Sequence, residues 1–166
     1  IGRMQRNKSK KVVELCRLVH SVDSLRLAEE LQMAGLKLDK TVDILLQVNV
    51  SGEGSKAGCA PAAVGRLAEE IMTMANLRIR GLMTMAPHGE RPEASRGTFA
   101  RCRELFEDTV QSGIAGPARV FNILSMGMST DYEVAISEGA NLVRVGSSIV
   151  GEPRRMPGEE DEGEEA

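Results

Sequence analysis

Five short apolar segments, rich in β-branched residues, alternate along the chain with segments of helical periodicity. The apolar segments predict strands over residues 18–21, 42–50, 77–85, 119–124 and 141–145. The second of them begins as a nearly continuous apolar run, which is typical of a strand buried on both faces. Because strands and helices alternate with connections of this length, the pattern predicts a parallel sheet covered by helices.

Between the strands, apolar residues recur at spacings of three and four, which predicts amphipathic helices. One apolar face follows Pro61, a residue suited to a first helical turn, and comprises Val64, Leu67, Ala68, Ile71, Met74 and Ala75. A second face comprises Phe99, Cys102, Phe106 and Val110. A further helix, capped by Asp23 or Ser24, is expected to end at Gly35.

Two α/β architectures fit this alternation. A doubly wound open sheet accommodates five strand–helix units as they stand. A (β/α)₈ barrel of the usual ~250 residues would supply the same five units from five-eighths of its length. The periodicity of the 166 residues leaves both architectures open.

The strongest local signal for chemistry is the segment 124–130 (LSMGMST), which ends a predicted strand and precedes a helix. The pair Thr130 and Glu133 has the spacing of a capping box, and Gly139 would close that helix. Hydroxyl groups and a glycine at the carboxyl end of a parallel strand can bind an anion, above all a phosphate. On this turn alone, it is equally consistent that Ser129 and Thr130 only cap the helix.

A second turn of the same kind follows the strand in residues 141–148 (NLVRVGSS). Gly146 permits a close approach of the backbone, and Ser147 offers both an N–H and a hydroxyl group. Two successive strand ends of this type match the phosphate site that barrels build after strands 7 and 8. Arg144 lies inside the strand, where a charge is costly unless it meets a partner. The alternative is an edge-strand arginine that reaches solvent.

Charge is distributed unevenly along the chain. The net charge of −3 includes −5 from residues 152–166, so residues 1–151 carry +2. Five basic residues fall within the first eleven positions, which indicates a solvated surface or, alternatively, a patch for phosphate or nucleic acid. No aromatic residues accompany this patch, as stacking on bases would need. No apolar run approaches the ~20 residues of a membrane span.

Other candidate motifs are weak. Cys16, Cys59 and Cys102 are too far apart for a zinc site and odd in number, so we predict buried, reduced thiols. Residues 51–58 lack the spacing of either nucleotide-binding glycine motif, although this loop follows a strand. His88 has no carboxylate or serine at a telling spacing and is predicted to be a surface residue.

Several segments, in order, resemble the pyridoxal 5′-phosphate homeostasis protein family. The first eight residues resemble the end of the family's sequence signature. Residues 20–24, 47–53 and 80–85 are similar to its successive strand ends, and residues 124–129 and 143–147 to its C-terminal blocks. The match extends from residue 1 to about residue 151, and the order of the blocks makes it far more specific than any single one.

The resemblance implies a partial (β/α)₈ barrel like the N-terminal domain of alanine racemase, without the first strands. It implies pyridoxal phosphate as cofactor, with its phosphate held by Ser125, Ser129, Gly146 and Ser147. Position 147 has Ser where the family usually has Thr. Arg144 would face the pyridine nitrogen. Because a guanidinium only donates, it would keep that nitrogen unprotonated and restrain carbanion chemistry.

The resemblance also places the Schiff-base lysine of the family upstream of Ile1, so no catalytic residue is predicted in this chain. We therefore predict a pyridoxal phosphate-binding domain in residues 1–151 and a disordered acidic tail in residues 152–166. The implied role is vitamin B6 homeostasis in the cytoplasm or a mitochondrion. The implied state of the complete protein is monomeric, with pyridoxal phosphate-dependent apoenzymes as recipients and neither nucleic acid nor membrane as partner.

Two other functions compete with this one. An amino-acid racemase would use the same cofactor but needs a lysine and an opposing acid–base residue, often a tyrosine. Tyr132 is the only tyrosine and falls within the predicted capped helix. A phosphate- or nucleic-acid-binding module built on the basic N-terminal residues is the third hypothesis.

Overall fold

A five-stranded parallel sheet organises the computed structural model, which describes residues 1–2, 4–52, 57–87 and 91–151. The strands are β1 (Leu18–Val22), β2 (Val42–Gln47), β3 (Leu77–Met83), β4 (Ile123–Met128) and β5 (Leu142–Arg144). All neighbouring pairs are parallel and follow the order β1-β2-β3-β4-β5. The predicted parallel sheet is thus confirmed.

The helices fill the connections between the strands. They are α1 (Ser9–Leu15), α2 (Leu25–Leu38), α3 (Val64–Met72), α4 (Arg96–Ser112), α5 (Tyr132–Ser137) and α6 (Ser147–Val150). Short 3₁₀ turns precede α1, α3 and α4 at Arg6–Lys8, Pro61–Ala63 and Pro92–Ser95. Within the described residues, no helix is long and apolar enough to cross a lipid bilayer.

The strand order decides between the two architectures. Crossovers between parallel strands are almost always right-handed, so an order that never reverses puts all connecting helices on one face of the sheet. A doubly wound sheet instead reverses its order and carries helices on both faces. The uninterrupted order of five strands is therefore that of a partial (β/α)₈ barrel, and the open-sheet alternative is wrong.

The core lies between the sheet and its helices. The apolar face of α3 is buried as predicted at Val64, Leu67, Ala68 and Ile71, but the helix ends at Met72 and leaves Ala75 exposed beyond it. On α4, Phe99 and Cys102 are fully buried. The Phe106 ring stacks on Phe121, with 5.2 Å between ring centroids. These contacts fasten α4 to the segment that leads into β4.

The fourth strand lies later in the sequence than predicted. Residues 119–124 were expected to form it, but Val120 and Phe121 donate their backbone N–H groups to the Pro117 carbonyl, which makes a turn. The strand begins at Ile123 and continues to Met128. The second half of this strand was not predicted, because Ser125 and Gly127 interrupt an otherwise apolar pattern.

Gly35 does not end α2, as the sequence predicted, but lies buried inside the helix. A Cβ there would come within 2.9 Å of the Lys40 carbonyl oxygen and 3.1 Å of the Asn76 Cβ. The helix ends instead at Asp39, which adopts the left-handed conformation with φ of 50°. Gly35 therefore serves close packing of the chain that returns past the helix.

Candidate functional site

The carboxyl ends of β3, β4 and β5 surround a cavity of about 370 Å³. Its walls are residues 85–87 after β3, residues 91, 92 and 95 before α4, residues 127–131 at the end of β4 and in the turn that follows, and Arg144, Gly146 and Ser147. Cavities for small ligands typically measure about 300–1,000 Å³. Of the five residues predicted to bind the cofactor, all but Ser125 line this cavity.

Arg144 is buried, with 8% of its surface exposed. Its Nη1 donates to Ser125 Oγ at 2.8 Å, and its Nη2 donates to the Thr84 carbonyl oxygen at 3.0 Å. Its Nε is the one buried side-chain polar atom among the described residues that has no hydrogen-bond partner. The alternative of an edge-strand arginine in solvent is therefore wrong, and one buried donor beside the cavity remains available.

The charge of Arg144 persists despite its burial. Desolvation lowers the pKa of the guanidinium, whereas the Asp131 carboxylate and Cys102 raise it. Because an arginine begins from a pKa above 12, it stays protonated. The cavity therefore has a fixed cation in its wall.

Ser125 is fully buried and lies behind Arg144 rather than in the cavity wall. Its Oγ is also 3.2 Å from His20 Nδ1 on β1. A guanidinium can only donate, so Ser125 Oγ accepts from Arg144 and its own proton remains free for His20 Nδ1. Assigned from this network, the histidine tautomer carries its proton on Nε2.

His20 belongs to this network, although the sequence alone did not identify it as a candidate functional residue. Burial, with help from the positive charge of Arg144, lowers the pKa of its imidazole to about 4. The ordinary value is near 6.5, so the unfolded chain binds this proton more readily than the folded one. The stability that comes from neutral His20 is complete above about pH 6.5 and is lost as the pH falls through about 4.

The turn after β4 reaches across to the start of α6. Ser129 Oγ accepts hydrogen bonds from the backbone N–H of Gly146 at 3.0 Å and of Ser148 at 3.4 Å. In addition, the Ser148 hydroxyl donates to the Ser129 carbonyl oxygen at 3.4 Å. Two backbone donors thus point at a single oxygen atom, which is the arrangement that phosphate-binding turns use.

The predicted capping box at Thr130 and Glu133 is wrong. The N-cap of α5 is Asp131, and its side chain caps no helical N–H group. Its Oδ1 instead accepts from the Met128 backbone N–H at 2.7 Å, and its Oδ2 accepts from Ser95 Oγ at 3.1 Å. Because this carboxylate closes the turn on itself and ties it to α4, Thr130 is not needed as a cap.

Gly127 gives the turn its shape. It has a φ of 92°, and a Cβ there would lie 2.6 Å from the Ala135 Cβ and 3.0 Å from the Tyr132 Cα. Only glycine allows α5 to pack this closely behind the cavity. Gly139 also has a positive φ of 95° two residues after α5, which agrees with its predicted place at the end of that helix.

The remaining candidates are the three cysteines and several residues that the structure does not describe. His88, residues 53–56 of the glycine-containing loop and residues 152–166 of the predicted tail lie outside the described residues. Cys102 is buried and Cys59 partly so, and burial raises the pKa of their thiols to about 12 and about 11. Cys16 is exposed, contrary to the prediction, because it lies in the loop before the edge strand β1.

The sequence of the chain is similar to a known domain family and to named relatives. The sequence model of the alanine racemase N-terminal domain matches residues 1–153. Proteins named pyridoxal phosphate homeostasis protein from Aquifex aeolicus and Pseudomonas aeruginosa are 42% and 44% identical over 92% and 91% of the chain. The chain spans 65% and 62% of the lengths of these relatives.

Solved structures show the same architecture. PipY of Synechococcus elongatus, in a structure with pyridoxal phosphate bound, is 34% identical with a TM-score of 0.79. That match covers 90% of this chain and 68% of PipY. An alanine racemase of Clostridium difficile shares the fold alone, with 14% identity and a TM-score of 0.68 over 93% of this chain and 38% of its own.

Proposed function

The chain belongs to the alanine racemase N-terminal domain family, and from this premise we propose that it binds pyridoxal 5′-phosphate in the cavity described above. Its role in the whole protein is then to hold this cofactor for vitamin B6 homeostasis, as the names of its relatives suggest. The observation that supports this proposal most directly is the buried Arg144, which lines a cavity with a phosphate-type turn and has an unpartnered Nε.

The side chains and backbone groups of the cavity fit a phosphorylated ligand. The N–H groups of Gly146 and Ser148 already converge on one oxygen, and Ser147 adds a hydroxyl to the same wall. We therefore assign Ser129, Gly146 and Ser147 to the phosphate. Ser125 is fully buried behind Arg144, so we assign it to the support of that arginine rather than to the phosphate.

Arg144 determines what kind of chemistry the site favours. Bound pyridoxal phosphate supplies an aldehyde that reacts with amines and a ring that accepts electrons. Because the guanidinium only donates, a ring nitrogen that faces it serves as acceptor and stays unprotonated. A ring in that state is a weak electron sink, so the site favours retention of the cofactor over turnover of amino acids.

Tyr132 gives no support to a racemase. Its hydroxyl donates to Glu133 Oε1 at 3.4 Å, and the residue is not part of the cavity wall. A racemase needs an acid–base group that faces the α-carbon of the substrate. Exchange of the alanine α-proton for deuterium, catalysed by the chain with added cofactor, would favour the racemase over our proposal.

Selective binding of the phosphorylated cofactor is the first expected result. In titration calorimetry, we expect the chain to bind pyridoxal 5′-phosphate at least about tenfold more tightly than pyridoxal, because charge-assisted hydrogen bonds to a phosphate contribute about 1.5–3 kcal/mol. Inorganic phosphate should compete for the same site. Equal affinity for pyridoxal phosphate and pyridoxal would contradict the proposed phosphate site.

Two serine variants test whether the preference for pyridoxal phosphate over pyridoxal arises at the turn that contains Ser129. Ser129→Ala removes the oxygen that joins the two turns and should weaken the binding of pyridoxal phosphate while leaving that of pyridoxal unchanged. The matched control is Ser112→Ala, because the Ser112 hydroxyl donates to the Thr109 carbonyl oxygen at the end of α4, away from the cavity. This control should bind both compounds as the unchanged chain does.

The second expected result concerns the six lysines of the chain. No described residue that lines the cavity is a lysine, so reduction with borohydride in the presence of pyridoxal phosphate should label none of them specifically. Peptide mass spectrometry of the reduced chain checks this. A stoichiometric adduct on one lysine would show that this chain contains its own covalent attachment site.

A further inference from the structure

His20, Ser125 and Arg144 form a continuous chain of hydrogen bonds across the concave side of the sheet. His20 belongs to β1 and Ser125 to β4, two strands that are separated by β2 and β3. Their side chains nevertheless meet, with 3.2 Å between His20 Nδ1 and Ser125 Oγ. The sheet therefore curls enough for inward-pointing residues of distant strands to touch, as they do inside a barrel.

The direction of each link follows from the donors and acceptors that it joins. Arg144 has donors only, and the Thr84 carbonyl oxygen that receives its Nη2 can only accept. Ser125 Oγ must therefore accept from Nη1, and of its two partners among the described residues only His20 Nδ1 can accept the buried hydroxyl proton. An acceptor at position 20 thus orients the serine hydroxyl, and the oriented hydroxyl holds the guanidinium.

We infer that His20 is a positioning residue, which acts through Ser125 to aim the unpartnered Nε–H of Arg144 at an acceptor atom of the bound ligand. This inference rests on the proposed function for the identity of that ligand. His20 is not among the residues that line the cavity, and two successive hydrogen bonds, through Ser125, connect it to the guanidinium group of Arg144. Protonation of Nδ1 would turn the acceptor into a donor and leave the buried hydroxyl proton of Ser125 without an acceptor among its two partners.

The charges around His20 oppose that protonation. Burial is the larger cause, and the positive Arg144 from β5 acts on the imidazole in addition. Asp131 and Cys102 act on Arg144, and Asp23 acts on Cys59. Since no carboxylate of the described residues acts on the imidazole against these two effects, it remains a neutral acceptor at physiological pH.

Two variants distinguish the role of His20 as a hydrogen-bond acceptor from the effect of its protonation. His20→Asn keeps an oxygen acceptor of similar reach but cannot be protonated in this pH range, and His20→Leu removes the acceptor altogether. At pH 7 we expect His20→Asn to bind pyridoxal phosphate with nearly the original affinity and His20→Leu to bind about tenfold more weakly. As the pH falls below about 5, towards the His20 pKa of about 4, the original chain should lose more affinity than the His20→Asn chain.

A measurement without ligand tests the inference independently of the proposed function. In ¹⁵N NMR spectra of the ligand-free chain, His20 should show an unprotonated Nδ1 at pH 7. The Arg144 Nε–H resonance should shift in His20→Leu but remain in place in His20→Asn. An Arg144 resonance that is the same in all three chains, or a protonated Nδ1, would overturn the inference.

The outcomes distinguish the two proposals. If the unchanged chain does not bind pyridoxal phosphate while the Arg144 resonance still follows the acceptor at position 20, the proposed function fails and the positioning role holds. If the cofactor binds equally well to the original chain and to His20→Leu over the whole pH range, the positioning role fails and the proposed function holds.

Discussion

Replacement of Gly81 by alanine is expected to cost more than about 4 kcal/mol of unfolding free energy, beyond the usual 0.5–3 kcal/mol of a point mutation. Gly81 on β3 is opposite Ile123 on β4. A Cβ at Gly81 would lie 1.7 Å from the Ile123 carbonyl oxygen and 2.6 Å from its carbonyl carbon. These are backbone atoms, so the clash can be relieved only if the two strands separate.

Separation of these strands would also damage the cavity. Two residues accept hydrogen bonds from Arg144: Thr84, which directly follows β3, and Ser125, which is in β4. The Thr84 backbone N–H in turn donates to the Ser125 carbonyl oxygen at 3.1 Å. We therefore expect the Gly81→Ala chain to lose both its cooperative unfolding transition and its affinity for pyridoxal phosphate. Urea denaturation followed by far-ultraviolet circular dichroism measures the first effect, and titration calorimetry the second.

Gly65→Ala is the matched control. Gly65 is in α3, and a Cβ there would meet only the end of the Ile114 side chain at 3.5 Å, an ordinary contact distance. Because alanine favours helices over glycine by about 1 kcal/mol, this variant should be as stable as the original chain or more so. A Gly81→Ala chain within about 1 kcal/mol of the original would refute the close-approach argument.

Replacement of Arg144 by leucine is expected to lower the affinity for pyridoxal phosphate by about a hundredfold, because hydrogen bonds to charged groups contribute about 1.5–3 kcal/mol each. The substitution removes the cation that lines the cavity and its buried, unpartnered Nε–H donor together. It also leaves Ser125 Oγ and the Thr84 carbonyl oxygen without their donor. The melting temperature should therefore fall as well.

Two further variants show which property of Arg144 matters. Arg144→Lys keeps the charge but not the planar group that serves Ser125, Thr84 and a ligand at once, so it should restore little of the affinity. Arg66→Leu is the control, because Arg66 is exposed and pairs only with Glu70 on the same helix. Binding by Arg144→Leu at the original affinity, measured well below its melting temperature, would rule out Arg144 as a ligand contact.

The sequence was sufficient to predict the strands and turns that contain the candidate site. Apolar runs predicted five strands, and all five exist. The turns that contain Ser129 and Gly146 were expected to lie side by side, since the carboxyl ends of parallel strands share one edge of the sheet. The 3.0 Å hydrogen bond from the Gly146 N–H to Ser129 Oγ shows that they do.

Two errors in the sequence-based prediction occurred where contacts in the folded chain override a local pattern. Thr130 matches the pattern of a helix cap, yet the turn is closed by Asp131, which also holds Ser95 from another helix. Gly35 resembles a helix end but serves packing against Lys40. Local patterns record which conformations a residue favours, and they do not contain the neighbours that override them.

The sequence by itself determined the alternation of strands and helices, the two turns with glycine and serine, and the strand that contains Arg144. The periodicity left the architecture open and the family resemblance implied a barrel; the strand order in the tertiary structure decided it, because that order depends on pairing between distant segments. The tertiary structure also brought His20 to Ser125, 105 positions away in the sequence. A hydrogen bond requires two groups within about 3 Å, and no spacing along a chain specifies that distance.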